Sequence, residues 1–280
     1  MIGENRNVGG VVAQCAGNIF KCTNSGLILS YSNAASDGMV QMGGIIGYFT
    51  KGDNVISECT NKGTIKSLGL ISNNISTADG AAGIGGIVGN ARGTIEKCEN
   101  YGKINANNKI ICVGGIAGHL NSSSTIKECI NRGNITKLNS TDAINFVGGI
   151  CGDMSAKTDP NITDSTLEKC YNSGSVEGNK WIGGILGYLE GTEGQGTVKE
   201  CYNKGTVTGT KGVGSIIGNC QEAGDLNTFS DLYYLTIVGI GAINNGPDDT
   251  SKKIMALPVT SGNFNSKDEF LNWLANENNP

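Results

Sequence analysis

The sequence predicts an all-β fold: a parallel β-solenoid (β-helix) of about seven coils, closed by a short C-terminal capping helix. Three observations predict it. A Gly-Gly-aliphatic block recurs at intervals of 29 to 42 residues, as GGVVA at Gly9, GGIIG at Gly43, GGIVG at Gly85, GGIAG at Gly114, GGICG at Gly148, GGILG at Gly183 and GSIIG at Gly214. Between these lies a second block, I-x-x-C-x-N-x-G-x-I, seen as IFKCTNSGLI, ISECTNKGTI, IEKCENYGKI, IKECINRGNI, LEKCYNSGSV and VKECYNKGTV. Finally, the charges beside each cysteine alternate in sign from copy to copy.

Each apolar segment is four to six residues long, rich in Ile and Val, and bounded by Gly and Asn. Such segments are too short for helices and suit strands. One copy cannot bury its own apolar side, so stacking of copies must supply the core. Seven coils at about 4.8 Å each make a rod of roughly 34 Å.

Within each copy the elements follow in order. Val11, Ile45, Ile87, Ile116, Ile150, Ile185 and Ile216 form one aliphatic row, the expected interior. If they point inward, strand alternation turns the Val8–Met42–Ile84 and Val12–Ile46–Val88 rows outward. The favoured reading is that the long loops or an upstream domain cover those rows, or that the strand is internal; the other is a protein-contact face. Asn24, Asn61, Asn100, Asn131, Asn172 and Asn203 share one position, where an amide side chain can bond the neighbouring coil. Gly26, Gly63, Gly102, Gly133, Gly174 and Gly205 fill a position expected to need positive φ or close backbone approach. The residue before each Cys runs Lys21, Glu58, Lys97, Glu128, Lys169, Glu200, and the residue before that runs Glu96, Lys127, Glu168, Lys199. Stacked in register, alternation turns each repulsion between coils into an attraction.

Cys22, Cys59, Cys98, Cys129, Cys170 and Cys201, six of ten cysteines, occur once per copy. A zinc site needs ligands converging from paired spacings such as C-x-x-C, which the chain lacks. A line of buried reduced thiols is the favoured reading, ahead of disulfides between coils and of metal. No metal ligand set and no cofactor are expected.

The repeats occupy residues 1–235, ending in FSDLYYL with Leu232 at the cysteine position. Residues 236–280 form a second region, irregular to 264, with a capping-box pattern from Ser266 opening a helix at about 266–277. Insertions concentrate at 68–83, 136–146 and 153–165, and in solenoids such insertions are loops that often carry binding.

Gly at 44 and Asn at 33 make over a quarter of the 280 residues, while charged residues are only 16%. That is too apolar for disorder, and Gly lacks the every-third-residue period of collagen. A net charge of −4 without basic clusters argues against nucleic acid as a partner, and no apolar run is long enough for membrane insertion. The start, MIGENRNVGG, has no signal-peptide pattern and fits a segment of a longer protein with further repeats upstream.

Catalysis on a β-helix needs clustered carboxylates, or a basic residue beside metal-binding acids. Here the strand acids are absorbed as partners of lysines. Asp79, Asp142, Asp153, Asp159 and Asp164 fall in loops; the last three share one loop that can hold a cation or simply face water. His119, the single histidine, occupies the repeat position of Gln14, Tyr48, Asn90, Asp153, Tyr188 and Asn219 and reads as a repeat variant. Tyr171 and Tyr202, between Cys and Asn, stack where a sugar can lie. Tyr171, Tyr202, Asp79, Asp142 and Asp153 are therefore the candidate ligand-contact residues, and no residue is assigned a catalytic role.

The pattern GGIxG…TIxxCxNxGxI, with its LYYL ending, resembles the GLUG repeat family of bacterial surface proteins over residues 8–235. That family includes adhesins and the non-catalytic repeat region of immunoglobulin-A-cleaving metallopeptidases. The resemblance implies export, display at the cell surface and contact with a host or neighbouring-cell protein or glycan, in adhesion or as a stalk. It implies no catalytic residue here, since the protease zinc motif is absent. The alternative function is a carbohydrate-active β-helix enzyme, a polysaccharide lyase or glycosidase.

Overall fold

The computed structural model describes residues 7–32, 40–69, 82–106, 112–137, 145–155, 165–190, 196–220, 228–235, 256–259 and Asn272. It is a parallel β-solenoid: four ladders of parallel strands run along the rod, and each coil contributes to every ladder in turn. The first ladder stacks Asn7–Gly9, Gln41–Gly43, Gly83–Gly85, Cys112–Gly114, Phe146–Gly148, Lys180–Gly183 and Lys211–Gly214. The second begins with Val12–Cys15 and Ile46–Phe49 and ends with Ile217–Cys220, again seven strands. The third carries the I-x-x-C-x-N segments, and the fourth runs from Ile28–Ser32 to Val207–Thr208.

Two cores fill the coil, because the chain reverses at each Gly-Gly and lays the first two ladders back to back. The Ile45 row and the Ile46 row both enter one core, shared with the Ile56 and Cys59 rows of the third ladder. The Val8–Met42–Ile84 row enters a separate core with Ile28, Ile65, Ile104 and Ile135 of the fourth. The two rows with an open assignment are thus internal. The reversal itself cancels the simple alternation that turned them outward. Val11 alone in its row is exposed, as expected for the outermost rung.

Glycine sets the thickness of the seam between the two cores. A Cβ on Gly47, Gly89, Gly118, Gly152, Gly187 or Gly218 would lie 2.4–2.6 Å from a backbone nitrogen of the first ladder. The second Gly of each block is equally constrained: a Cβ on Gly44, Gly86, Gly115 or Gly149 would lie 2.0–2.1 Å from the next coil's carbonyl. Ser215 holds this position in the seventh coil. The carbonyl that would clash belongs to a following coil of this ladder, and among the described residues the ladder ends there.

Positive φ falls elsewhere than the Gly26 row. It lies at the residue before each cysteine: Lys21, Glu58, Lys97, Glu128, Lys169, Glu200 and Asp231 have φ of 52–54°. This left-handed step bends each third-ladder segment so that Ile56 and Cys59, three apart, both point inward. The Gly63 position needs close approach instead, its Cβ meeting the Gly26 carbonyl at 2.0 Å. The charge rows do stack: Glu96–Lys127 and Glu168–Lys199 lie at 3.0 Å, Lys169–Glu200 at 3.5 Å and Lys21–Glu58 at 3.7 Å.

All ten cysteines are free, and Cys59, Cys98, Cys129, Cys170 and Cys201 are buried. Each thiol completes the bend. Cys98 Sγ accepts from the Cys59 amide at 3.4 Å and donates to the Glu96 carbonyl at 3.2 Å. The asparagine row is a continuous side-chain ladder, Nδ2 to Oδ1 at 2.8 Å from Asn24 through Asn203. Each amide also donates to the carbonyl of the Gly two residues on, and in all but Asn172 it accepts from that Gly's N–H as well.

The third ladder outlasts the others. Thr228–Leu235 pairs in register with Gly196–Asn203, placing Leu232 beside Cys201 as the sequence indicates. Ala256–Val259 adds a further parallel strand on Leu232–Leu235, within a stretch expected to be irregular. The helix expected at 266–277 lies outside the described residues, except for Asn272, which is helical.

Candidate functional site

The five candidate contact residues are not brought together. Tyr171 and Tyr202 are register neighbours with ring centroids 5.5 Å apart, but both are buried, and Tyr233 continues the row. They offer no ring face to a sugar, which corrects the expectation drawn from their position. Burial, with Tyr171 alongside, pushes the Tyr202 hydroxyl up to about 12. Asp79 and Asp142, like Asp159 and Asp164, lie outside the described residues. Asp153 is not on a loop: it sits in the strand Cys151–Ser155 and is buried.

Asp153 belongs to a different constellation, at the mouth of the seam. There the starts of the first-ladder strands face the ends of the second-ladder strands. Two columns face each other there: Asn7, Gln41, Gly83, Cys112, Phe146 and Trp181 of the first ladder, and Gln14, Tyr48, Asn90, His119, Asp153 and Tyr188 of the second. Contacts between the columns are direct. Asn7 Nδ2 donates to Gln14 Oε1 at 3.1 Å, and the Phe146 ring stacks on Tyr188 at 4.4 Å. Trp181 stacks on both, at 5.3 Å and 5.2 Å, and Lys180 Nζ lies 4.0 Å over the indole. Trp181 has a φ of 52°, one of the few non-glycine residues in the left-handed region.

Beside this aromatic stack, the Asp153 carboxylate is the hub of a buried polar cluster. Oδ2 lies 2.9 Å from His119 Nδ1 and accepts from the Cys112 thiol at 3.9 Å. His119 Nε2 faces Ser155 Oγ at 3.4 Å. The other carboxylate oxygen, Oδ1, is buried with no hydrogen-bond partner. Cys112, His119 and Asp153 therefore offer sulfur, nitrogen and oxygen donors all within 4.8 Å of one another.

Half of this site is legible in the repeat. His119 and Asp153 share one alignment column, and columns stack in a solenoid. Cys112 lies two residues before its Gly-Gly, in the column of Asn7, Gln41 and Phe146. Nothing in the sequence shows that these two columns face each other; the Gly-Gly reversal decides that.

Of the three insertions, 68–83 and 136–146 lead into the first-ladder strands Gly83–Gly85 and Phe146–Gly148, and 153–165 begins in the second-ladder strand Cys151–Ser155. The fold and these columns define a class, the parallel β-solenoid repeat protein with one variable edge. Comparison with protein-family models, with curated proteins and with solved structures finds no match to this chain.

Proposed function

We propose that this chain is a non-catalytic recognition module displayed by a bacterial cell-surface or secreted protein, binding a protein or glycan along the mouth of the seam. The observation that carries this reading is the contrast along the rod. Six coils repeat the same asparagine and cysteine positions, yet the columns at the mouth hold amides, aromatic rings, a thiol, an imidazole and a carboxylate in different coils, and the unequal insertions join the chain at first- or second-ladder strands. Variation held on a rigid scaffold is the arrangement binding surfaces use. The half-buried Trp181 and Tyr188 supply aromatic area of the kind enriched at contacts.

The resemblance of the repeat to the GLUG pattern supports export and adhesion. A non-catalytic role is supported by the use of the ladder carboxylates Glu96, Glu168 and Glu200 as partners of lysines, which leaves them without the free pairing that glycoside chemistry requires.

The test is a screen of the purified chain against immobilised glycans and host extracellular proteins. The Trp181→Ala/Tyr188→Ala variant and a deletion of 70–81 should retain the wild-type circular dichroism and lose at least tenfold in affinity for the partner found. Turnover of an acidic polysaccharide by the chain, or full binding by both variants, would overturn the proposal.

A further inference from the structure

We infer that Cys112, His119 and Asp153 form a binding site for one divalent transition-metal ion of the zinc class, tying the fourth coil to the fifth. The donor set selects the metal. Thiolate and imidazole suit a borderline-soft cation such as Zn²⁺, whereas Ca²⁺ and Mg²⁺ take oxygen ligands.

Distances agree with that assignment. Zinc bonds of about 2.3 Å to sulfur and about 2.0–2.2 Å to nitrogen and oxygen give tetrahedral edges of about 3.3 Å (N to O) and about 3.6 Å (S to O). The edges present are 2.9 Å from His119 Nδ1 to Asp153 Oδ2 and 3.9 Å from Cys112 Sγ to Oδ2. These two edges need to move by only about 0.4 Å or less to reach metal geometry, and the third, Cys112 Sγ to His119, lies within 4.8 Å and closes on binding.

A second observation points the same way. Asp153 is 2% exposed, yet its Oδ1 has no hydrogen-bond partner, a costly state for a buried carboxylate oxygen. Bidentate binding of the ion would use Oδ1 as the fourth donor. Ser155 Oγ, 3.4 Å from His119 Nε2, is placed to accept the proton there and so direct the Nδ1 lone pair at the ion, the outer-ring support usual for metal-binding histidines. In the metal-free state a proton must lie between Nδ1 and Oδ2, since two lone pairs would otherwise face each other at 2.9 Å. On binding, the neutral imidazole carries its one proton on Nε2 towards Ser155 instead of on Nδ1, and the Cys112 thiol proton leaves to solvent, with no change of oxidation state.

The repeat itself supplies variants that fold. The His119 column already holds Asn at Asn90 and Asn219, and the Cys112 column holds Gly at Gly83 and Gly212. His119→Asn and Cys112→Gly therefore keep residues the solenoid accepts, and Cys15→Ala serves as a thiol control away from the site. The experiment loads the reduced full chain with Zn²⁺ or Co²⁺, removes free metal, and reads metal content, the Co²⁺ spectrum and the unfolding temperature with and without chelator.

Expected for wild type and Cys15→Ala are one ion per chain, a thiolate-to-cobalt charge-transfer band with tetrahedral d–d intensity, and an unfolding temperature that falls on chelation. His119→Asn should bind at least 100-fold more weakly, Ser155→Ala about 10–100-fold more weakly, and Cys112→Gly should lose the charge-transfer band. Three results would each overturn the assignment: no stoichiometric metal in wild type, a cobalt spectrum without the thiolate band, or unchanged binding in folded Cys112→Gly.

Discussion

The asparagine corner and the mouth of the seam run parallel along the same rod, built by the same seven coils, and they obey opposite rules. At the corner each Asn side chain bonds the one above, the one below and its own turn, so every coil depends on its neighbour's identity. At the mouth, partners change from coil to coil: an amide pair, an aromatic stack, and a thiol–imidazole–carboxylate cluster. A ladder propagates one solution because each rung is the template for the next. The mouth, where among the described residues no side-chain ladder of one residue type runs from coil to coil, is free of that demand. Stability resides at the corner and individuality at the mouth.

Substitutions can break this comparison, and the largest effect belongs to the glycine beside the asparagines. A Cβ on Gly115 would stand 2.1 Å from the Gly149 carbonyl and 2.3 Å from Asn131 Cγ. Gly115→Ala should cost more than about 4 kcal/mol or prevent folding. Ser215→Gly, at the same position in the last coil, should change stability by less than about 1 kcal/mol. Urea unfolding of the pair reads the difference; equal effects would show that the close approach is not real.

Next comes a matched pair of asparagines. Asn131→Ala strands Asn100 Nδ2 and Asn172 Oδ1, removes the amide's bonds to both backbone groups of Gly133, and should destabilise by about 2–4 kcal/mol. Asn219→Ala, at the mouth, should cost about 0.5 kcal/mol or less. Similar losses at both sites would dissolve the contrast.

A third test uses pH and the second core. Lys137 is buried in the row that holds Ala106 in the coil before, and burial pulls its ammonium down to about 8. The folded value lies below the unfolded value of about 10.4, so between those pH values the unfolded chain binds the extra proton. Its contribution therefore makes stability rise with pH through that window, by up to about 3 kcal/mol. The thiols act in the opposite sense. Hydrogen bonding to the next thiol along the ladder, with burial, pushes the Cys59 and Cys98 thiols far up, and burial leads at Cys201. Above about pH 8.5 unfolded thiols ionise while these do not, and stability falls. The lysine is isolated by subtraction: stability of wild type minus Lys137→Ala should rise between pH 7.5 and pH 10, and a flat difference would place the amine in water.

The smallest of these effects is electrostatic. Glu168→Lys places a third cation between Lys127 and Lys199, replacing the 3.0 Å pair with Lys199. The loss should be about 1 kcal/mol at low salt and shrink in 0.5 M salt by screening. Glu168 holds the Lys199 ammonium above its ordinary range, so the titration of Lys199 should move down in the variant. A salt-independent loss would mean that packing, not charge, is what changed.

The sequence by itself determined the coil count, the interior aliphatic row, the cysteine and asparagine ladders, the alternation of charge and the in-register end at Leu232. All of these are properties of a column, and in a parallel ladder a column in the alignment becomes a line in space. Only the tertiary structure decided what lies between columns. The Gly-Gly reversal folds two strands back to back and splits one expected core into two, and the left-handed step falls at Glu58 and its equivalents instead of at the Gly26 row. It also brings Cys112, seven residues before His119, against His119 and Asp153. The reason is physical: stacking is dictated by a period that the sequence displays, whereas the angle at which a coil turns depends on which backbones glycine allows to touch.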